Sequence, residues 1–399
     1  MAVTVNEKRV SQQIRSFERA LSAYQAKEPF ARFLTQFFRE NKQMGSSDRR
    51  MTSRLCYNFF RIGNVAQDIS PVERLTIAEF LCERQSDVVA LYQPSWIDMQ
   101  DWTPSQKLTF LSKAGIIRQE DLFPFLQHLS PSIDKDRFIG VQFDQPHLFI
   151  RVRRGSEKVV EGALAKADIP FDVIEKNTLA LKNGTNLQAL KGIVGLYEVQ
   201  DLSSQQTMKL LTAANGARPI QAHEHWWDAC AASGGKALLF LDQYPQVDLL
   251  VSDIRMSILR NLDERFDQAN IKKYRKKIID LTKDPLEVLN GEQFDGIILD
   301  APCSGSGTWG RSPEMISQFR AQAIQSFSIL QRQIAKNVLR HLKPGGTLLY
   351  ITCSVFKEEN EDTARFIEEH LHCKIEQMVT LKGYEHRADT MFAARFTRL

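Results

Sequence analysis

What this chain lacks narrows its function before anything it contains does. No run of 18 apolar residues occurs, so no membrane span is expected. The opening MAVTVNEKRV holds no apolar signal core, so secretion is not expected. The six cysteines (Cys56, Cys82, Cys230, Cys303, Cys353 and Cys373) show no paired metal-ligand spacing. They read as reduced thiols of a cytoplasmic protein, with neither a disulfide framework nor a metal. No charge sign dominates: 52 basic against 48 acidic residues leave +4, which allows a nucleic-acid partner without requiring one. No internal repeat or low-complexity tract is present. With 43% hydrophobic and 25% charged residues over 399 positions, the composition is that of a globular chain of two or three domains.

What is there changes character twice. Residues 1–128 read as helices. Val10, Ile14, Phe17, Leu21 and Tyr24 recur at steps of four and three, which places them on one helical face; Phe30, Phe33, Leu34, Phe37 and Phe38 repeat the pattern. Such aromatic stripes belong to a core. Ser70, Pro71 and Glu73 predict a capping box, and Thr103 and Pro104 another helix start. Between them, ENKQMGSSDRRMTSRLCYNFFR carries a charged face that solvent alone would explain.

Residues 129–205 alternate differently. HLFIRVRRG, FDVIE, TLALK and LYEVQD predict strands, and EKVVEGALAKADI and NLQALKGI helices. The resulting β-α-β-β-α-β order is shared by many small RNA-binding modules. The arginines of RVRR suit either an RNA contact or a solvated edge strand.

From residue 206 to 399, strands and helices alternate, which predicts a parallel sheet with helices on both faces, including a helix over 314–341. Ligands of such sheets bind at the carboxyl ends of the strands. The first strand ends in DACAASGGK, where small residues admit a ligand close to the backbone and the next helix offers free N–H groups; a tight turn is the plainer reading. No G-x-G-x-x-G fingerprint follows that strand, which argues against a dinucleotide. The second strand ends in Asp253, placed to accept the hydroxyls of a ribose. The third ends in Asp280, placed to accept from an adenine amino group, with Asp284 as its substitute. Each acid alone reads as a loop or cap residue. Three at successive strand ends point to an adenosine-containing cofactor.

The fourth strand ends in Asp300-Ala301-Pro302-Cys303 and the fifth in Thr352-Cys353-Ser354. Neighbouring strand ends bring two thiols and a carboxylate to one cleft, which suits methylation of a pyrimidine carbon. Cytosine C5 is a poor nucleophile, and a thiolate adding to C6 turns the ring into an enamine that can attack a methyl sulfonium. A carboxyl group at N3 can relay the proton and stabilise the developing charge. The basic run IKKYRKK, 271–277, reads equally as a solvated segment and as a phosphate contact.

DACAASGGK, LDAPCSGSGTWGRSPE, LKPGGTLLYITCSVFKEENED and the terminal MFAARFTRL resemble the Nop/Sun family of RNA 5-methylcytosine methyltransferases. Within it, the likeness is to the bacterial 16S rRNA enzymes, which also carry a NusB-like N-terminal domain, and GSSDRR followed by an aromatic helix resembles the start of that domain. The resemblance implies a Rossmann-like class I methyltransferase domain over 206–399, a NusB-like RNA-binding domain over 1–128 and an RNA-binding module between them. It implies S-adenosylmethionine as cofactor and RNA, 16S rRNA above all, as partner, with Cys353 the nucleophile, Cys303 assisting product release and Asp300 beside them. Cofactor contacts fall on Cys230, Ala231, Ala232, Ser233, Gly234, Gly235, Lys236, Asp253, Asp280 and Asp300. A monomer without membrane or metal partners is expected. Two departures are visible. Ser233 stands where the family usually has proline, which implies a looser loop, and HLFIRVRRG stands where a tryptophan-containing strand is usual. Two other functions stay open. A DNA cytosine-C5 methyltransferase would use Cys303 as nucleophile and would not need YITCS. A non-catalytic RNA-binding or ribosome-assembly factor would not need both cysteines and Asp300.

Overall fold

The computed structural model describes residues 5–399. Contacts gather the chain into two compact units: one runs to Gln127 and takes in Asp134–Gln145 and Thr308–Arg320, and the other holds His128–Ile133, Pro146–Gly307 and Ala321–Leu399. The three sequence stretches are thus regrouped, with the small 146–205 module sharing a unit with the α/β region. Among the described residues no helix is long and apolar enough to cross a membrane.

The first unit is helical. Glu7–Ala23 buries Val10, Ile14, Phe17 and Ala20, while Leu21 and Tyr24 of the expected stripe are partly buried. Phe30–Glu40 buries Phe30, Leu34 and Phe37, and the Phe30 ring meets Tyr24 and Phe60 edge-on at 4.9 and 4.8 Å. Both expected helix starts carry capping boxes, Ser70 with Glu73 and Thr103 with Gln106. Several arginines of the Ser46–Arg61 helix work inside this unit. Arg54 pairs with Glu79 at 2.8 Å, and the buried Arg61 donates to the carbonyls of Gln142 and Gly310 at 2.6 and 2.9 Å.

Residues 308–320 belong with these helices. Glu314 is buried, and its Oε1 accepts from the Phe30 N–H at 3.1 Å. It thereby caps a helix whose own N-cap, Pro29, offers no side-chain acceptor. The helix expected over 314–341 is broken into Met315–Gln318 and Gln322–Leu339. Phe319 between them is extended (φ −68°, ψ 145°), and its ring packs on Trp309 and Phe125 at 5.1 and 5.5 Å. An aromatic tertiary contact there overrides helical propensity.

The second unit holds two sheets. Strands β1 (Leu148–Val152), β2 (Phe171–Glu175), β3 (Thr178–Leu181) and β4 (Tyr197–Val199) form an antiparallel sheet in the order β2-β3-β1-β4. The helix Glu157–Lys166 buries Val160 and Leu164 in the same cluster as Ile150 and Val152. The helix expected from NLQALKGI is two short 3₁₀ turns, Leu187–Ala189 and Lys191–Ile193. β1 is an inner strand, so Arg151 sits on no solvated edge, and Arg154, beyond the strand's end, is exposed. Arg151 is buried and meets Asp242 at 2.5 Å, and Arg153 reaches the same carboxylate at 2.8 Å.

The large sheet comprises β5 (His225–Asp228), β6 (Asp248–Asp253), β7 (Arg275–Ile278), β8 (Phe294–Asp300), β9 (Leu342–Thr352), β10 (Cys373–Leu381) and β11 (Met391–Arg398). Their order is β10-β11-β9-β8-β5-β6-β7. The pairs among β5 to β9 are parallel, as expected, but β11 inserts antiparallel between β9 and β10. The two-residue period sends neighbours to opposite faces. Trp227 joins Ile297, Leu299 and Tyr350 on one face, and Trp226 joins Ile298, Leu349 and Ile351 on the other. Gly296 makes room for Trp226, since a Cβ there would lie 2.4 Å from the indole. The basic run 271–277 forms the edge around β7 and is largely engaged within the unit. Lys272 pairs with Asp267, Lys276 with Asp263 and Arg275 with Glu292, while Lys277 donates to the Val288 carbonyl.

Candidate active site

The carboxyl ends of β5, β6, β8 and β9, with the loop after β7, surround a cavity of about 470 Å³. Cys230, Ala232, Asp253, Asp280, Asp300, Cys303 and Cys353 all line it. The topology explains the convergence. Parallel strands end on one side of the sheet, and β5, where the strand order reverses, opens the crevice.

The loop after β5 is held from below. Ala231 N–H donates to the Ser252 carbonyl at 2.8 Å, and Ala232 N–H to Asp253 Oδ2 at 3.2 Å. Gly234 takes a left-handed conformation (φ +81°) as N-cap of the helix Gly235–Gln243, with Leu262 and Phe266 where a Cβ would project. Ser233, expected to loosen this loop, is gripped by Arg265, which donates to its carbonyl at 3.2 Å and reaches Glu198 of β4 at 3.4 Å. Lys236 donates to Asp300 Oδ2 at 2.6 Å. Burial works against the lysine's charge, but Asp300, Cys353 and Asp228 outweigh it and raise its pKa.

The acids differ in use. Asp253 is nearly buried and accepts from the backbone N–H and Nε of Arg255 at 2.9 and 3.1 Å. Asp280 lies two residues beyond β7. It caps its own turn through Thr282 N–H and Oγ1, at 3.1 and 2.6 Å, and these bonds hold its carboxyl below the usual range. Asp284 is turned elsewhere, capping Leu286 N–H and pairing with Arg340.

Cys303 and Cys353 meet with their sulfurs 3.3 Å apart, both as free thiols. Strand pairing sets this up. Asp300 stands opposite Ile351, and Ala301 N–H donates to the Ile351 carbonyl at 2.9 Å. The loop then runs over the end of β9, where Gly307 N–H donates to the Cys353 carbonyl at 2.9 Å. Gly307 is obligatory, because a Cβ would fall 1.8 Å from the Thr390 carbonyl. The hydrogen bond with Cys353 pushes the Cys303 thiol well above its usual range; burial and the charge of Glu359 add to this, and the Gly305 N–H opposes it.

Two acids here carry no role in the sequence reading. Asp228, the last residue of β5, is fully buried with no hydrogen-bond partner on either oxygen. Burial, then the charge of Asp300, pushes its carboxyl up to about 8, and the Cys230 N–H nearby offsets part of this. Glu359 is fully buried behind the two cysteines. Both lie inside the stretches that carry the family resemblance, so the signal was their presence there, not their environment.

Comparison with known proteins sharpens the picture. Residues 218–397 match the family model described as 16S rRNA methyltransferase RsmB/F. The ribosomal RNA small subunit methyltransferase B of Xylella fastidiosa (strain 9a5c) is 39% identical over 226 residues, covering 56% of this chain and 49% of its own. That of Erwinia tasmaniensis is 37% identical over 177 residues, covering 44% and 39%. The chain thus spans about half or less of the length of these curated relatives. Among solved structures, that of PH0851 superposes with a TM-score of 0.72 at 21% identity, over 96% of this chain and 98% of its own. NSun6 from Pyrococcus horikoshii with SFG superposes at 0.57 and 17% identity, over 66% and 94%. These likenesses identify the fold as a Rossmann-like methyltransferase fold with an N-terminal helical region, and residues 218–397 are similar to the RsmB/F family of 16S rRNA methyltransferases.

Proposed function

We propose that this protein methylates cytosine C5 in RNA, 16S rRNA above all, using S-adenosylmethionine, with Cys353 as nucleophile. The observation that carries the reading is the thiol pair, 3.3 Å apart on the wall of a cavity of about 470 Å³ that Asp253, Asp280 and Asp300 also line.

The residues fit the cofactor. The cavity lies in the size range of small-molecule sites. Asp253 would accept the ribose hydroxyls and Asp280 the adenine amino group. Asp253, Asp280 and Asp300 give the pocket an acidic lining suited to a sulfonium. When bound, S-adenosylmethionine supplies an electrophilic methyl group.

The chain's own groups supply the rest. Cys353 would add to C6 as its proton passes to N3, and the ring electrons shift to leave an enamine that is nucleophilic at C5. Asp300, anchored by Lys236, would face N3 and relay that proton. After methyl transfer the C5 proton is lost to solvent water and the C5–C6 double bond re-forms. The Cys353–C6 bond breaks, with its electron pair returning to sulfur and the N3 proton passing back to it. Cys303 would assist this release by hydrogen-bonding the departing sulfur. Free thiols at the reaction centre suit a reducing cytoplasm.

Bisulfite sequencing of 16S rRNA from cells with and without the protein tests the reading. The expected result is one cytosine whose protection is lost with the gene and restored by the wild-type chain but not by Cys353→Ala. An unchanged pattern on deletion overturns 16S rRNA as the substrate.

A further inference from the structure

The stretch KEENED follows the second cysteine, and its acids take no part in the proposed chemistry. One of them, Glu359, is fully buried. Its Oε2 accepts from the Ser304 backbone N–H at 2.9 Å and from Gln331 Nε2 at 2.9 Å, and its Oε1 accepts from Ser354 Oγ at 2.7 Å. Ser304 directly follows Cys303, and Ser354 directly follows Cys353. Gln331 also donates to the Pro302 carbonyl at 3.1 Å, so both chain neighbours of Cys303 are tied to this one carboxylate. The turn carrying it is fastened in turn. Tyr350 Oη donates to the Glu359 carbonyl at 2.7 Å, and Asn360 Nδ2 donates to the Ser354 carbonyl at 2.9 Å.

We propose that Glu359 is a positioning residue that sets the spacing of Cys303 and Cys353 by holding the residue after each. Three donors from three different segments converge on it, and a carboxylate, which only accepts, is the side chain that satisfies all three. Burial strengthens these bonds and makes an unpaired donor costly, so the two cysteine loops are locked to one another through it. Ser304 Oγ, Ser306 Oγ and Ser354 Oγ bond among themselves at 3.0 to 3.2 Å and extend the same lock across both loops. The charge also bears on Cys303 by favouring its protonated form. The importance of this spacing rests on reading the two cysteines as the reaction pair; the spacing itself does not.

The test is carried out on the full chain, without RNA or cofactor. Dibromobimane bridges two thiols when they are close, and iodoacetamide reports the reactivity of each thiol alone; peptide mapping identifies the sites. In Glu359→Ala the ratio of bridging to single alkylation at Cys303 and Cys353 is expected to fall about tenfold to a hundredfold, the equivalent of a lost charge-assisted hydrogen bond. Glu359→Gln should recover most of it, because the amide oxygen can still serve Ser304 and Gln331 while the amide nitrogen donates to Ser354 Oγ. A wild-type ratio in folded Glu359→Ala overturns the proposal. If that variant does not fold, Ser354→Ala decides, a several-fold drop being expected and a wild-type ratio overturning it. Methylation is assayed separately. Glu359→Gln should retain more of the wild-type rate than Glu359→Ala, with KM for S-adenosylmethionine unchanged. A wild-type chain that bridges its thiols but methylates no RNA would leave the positioning role intact and sink the proposed function instead.

Discussion

At the scale of single residues, the two thiols differ in when they act. Cys353→Ala should abolish methylation and form no covalent RNA adduct. Cys303→Ala should still allow addition and methyl transfer and then stall, accumulating a protein–RNA complex that runs as a slow band on a denaturing gel and disappears on RNA digestion. The opposite pattern would give the nucleophile's role to Cys303. Asp228 supports a second prediction. Its carboxyl titrates near 8 in the folded chain, against about 3.9 unfolded. Between those values the native state binds the extra proton, so stability falls as pH rises through the window. Asp228→Asn, neutral throughout, should match wild type near the lower end. Towards pH 8 it should exceed wild type by at most about 5–6 kcal/mol, given about 1.4 kcal/mol per pKa unit. Urea unfolding at both ends of the range measures it, and parallel pH slopes in the two proteins would refute it. The cysteines and Asp300 were legible in the sequence because each follows an apolar run that ends in turn residues. The state of Asp228 was not, because it depends on Asp300, Lys236 and Asp253, which lie 72, 8 and 25 positions away in the chain and meet only in the fold.

At the scale of elements, local pattern predicted what local physics decides. Strands β1 to β9 were legible from apolar runs bounded by turn residues, and both capping boxes were written in three or four letters. Other elements escaped, two of them because distant partners shape them. The helix expected over 314–341 breaks where Phe319 turns to Trp309 and Phe125, and β11 pairs antiparallel by inserting beside β9. The loop at Ser233 shows the same dependence in a functional element. Its backbone stiffness comes from Arg265, on the helix Met256–Gln268, in place of a proline ring. Arg265→Ala is therefore expected to weaken S-adenosylmethionine binding about tenfold, the equivalent of one hydrogen bond to a charged group, without displacing any cofactor contact. Calorimetry reads the affinity directly. Asp253→Ala, which removes the ribose acceptor itself, should weaken binding about tenfold to a hundredfold. An Arg265→Ala chain that binds like wild type would mean that the loop is held by other means.

At the scale of the whole molecule, the sequence divides the chain where composition changes, whereas contacts divide it where side chains pair. Residues 129–205 read as a separate RNA-binding piece, with the arginines of RVRR either an RNA contact or part of a solvated edge strand. In the fold Arg151 and Arg153 are engaged within the unit, while Arg154 is exposed. Arg151 and Arg153 share Asp242 of the helix that follows the β5 loop, Arg153 also donates to the Ala269 carbonyl, and Glu198 meets the Arg265 that grips Ser233. Arg151 is additionally oriented by Gln200, at 2.8 Å. The module thus braces the two helices on which the candidate cofactor loop rests, and its loss would strip them of buried partners. One substitution tests this in the intact chain. Asp242→Ala leaves Arg151 buried with its carboxylate gone, and breaking a buried pair in this one-sided way costs about 3–5 kcal/mol. The double change Arg151→Met with Asp242→Leu removes the buried pair and should cost much less, because only Arg153, partly exposed and still bonded to the Ala269 carbonyl, loses its carboxylate. If the module is a brace, Asp242→Ala should weaken S-adenosylmethionine binding as well as stability, and the double variant should restore most of both. Urea unfolding and calorimetry on the three chains distinguish the outcomes. Near-wild-type stability in Asp242→Ala would show that the pair bears no load and that the module is free to act as the separate RNA-binding piece its sequence suggests.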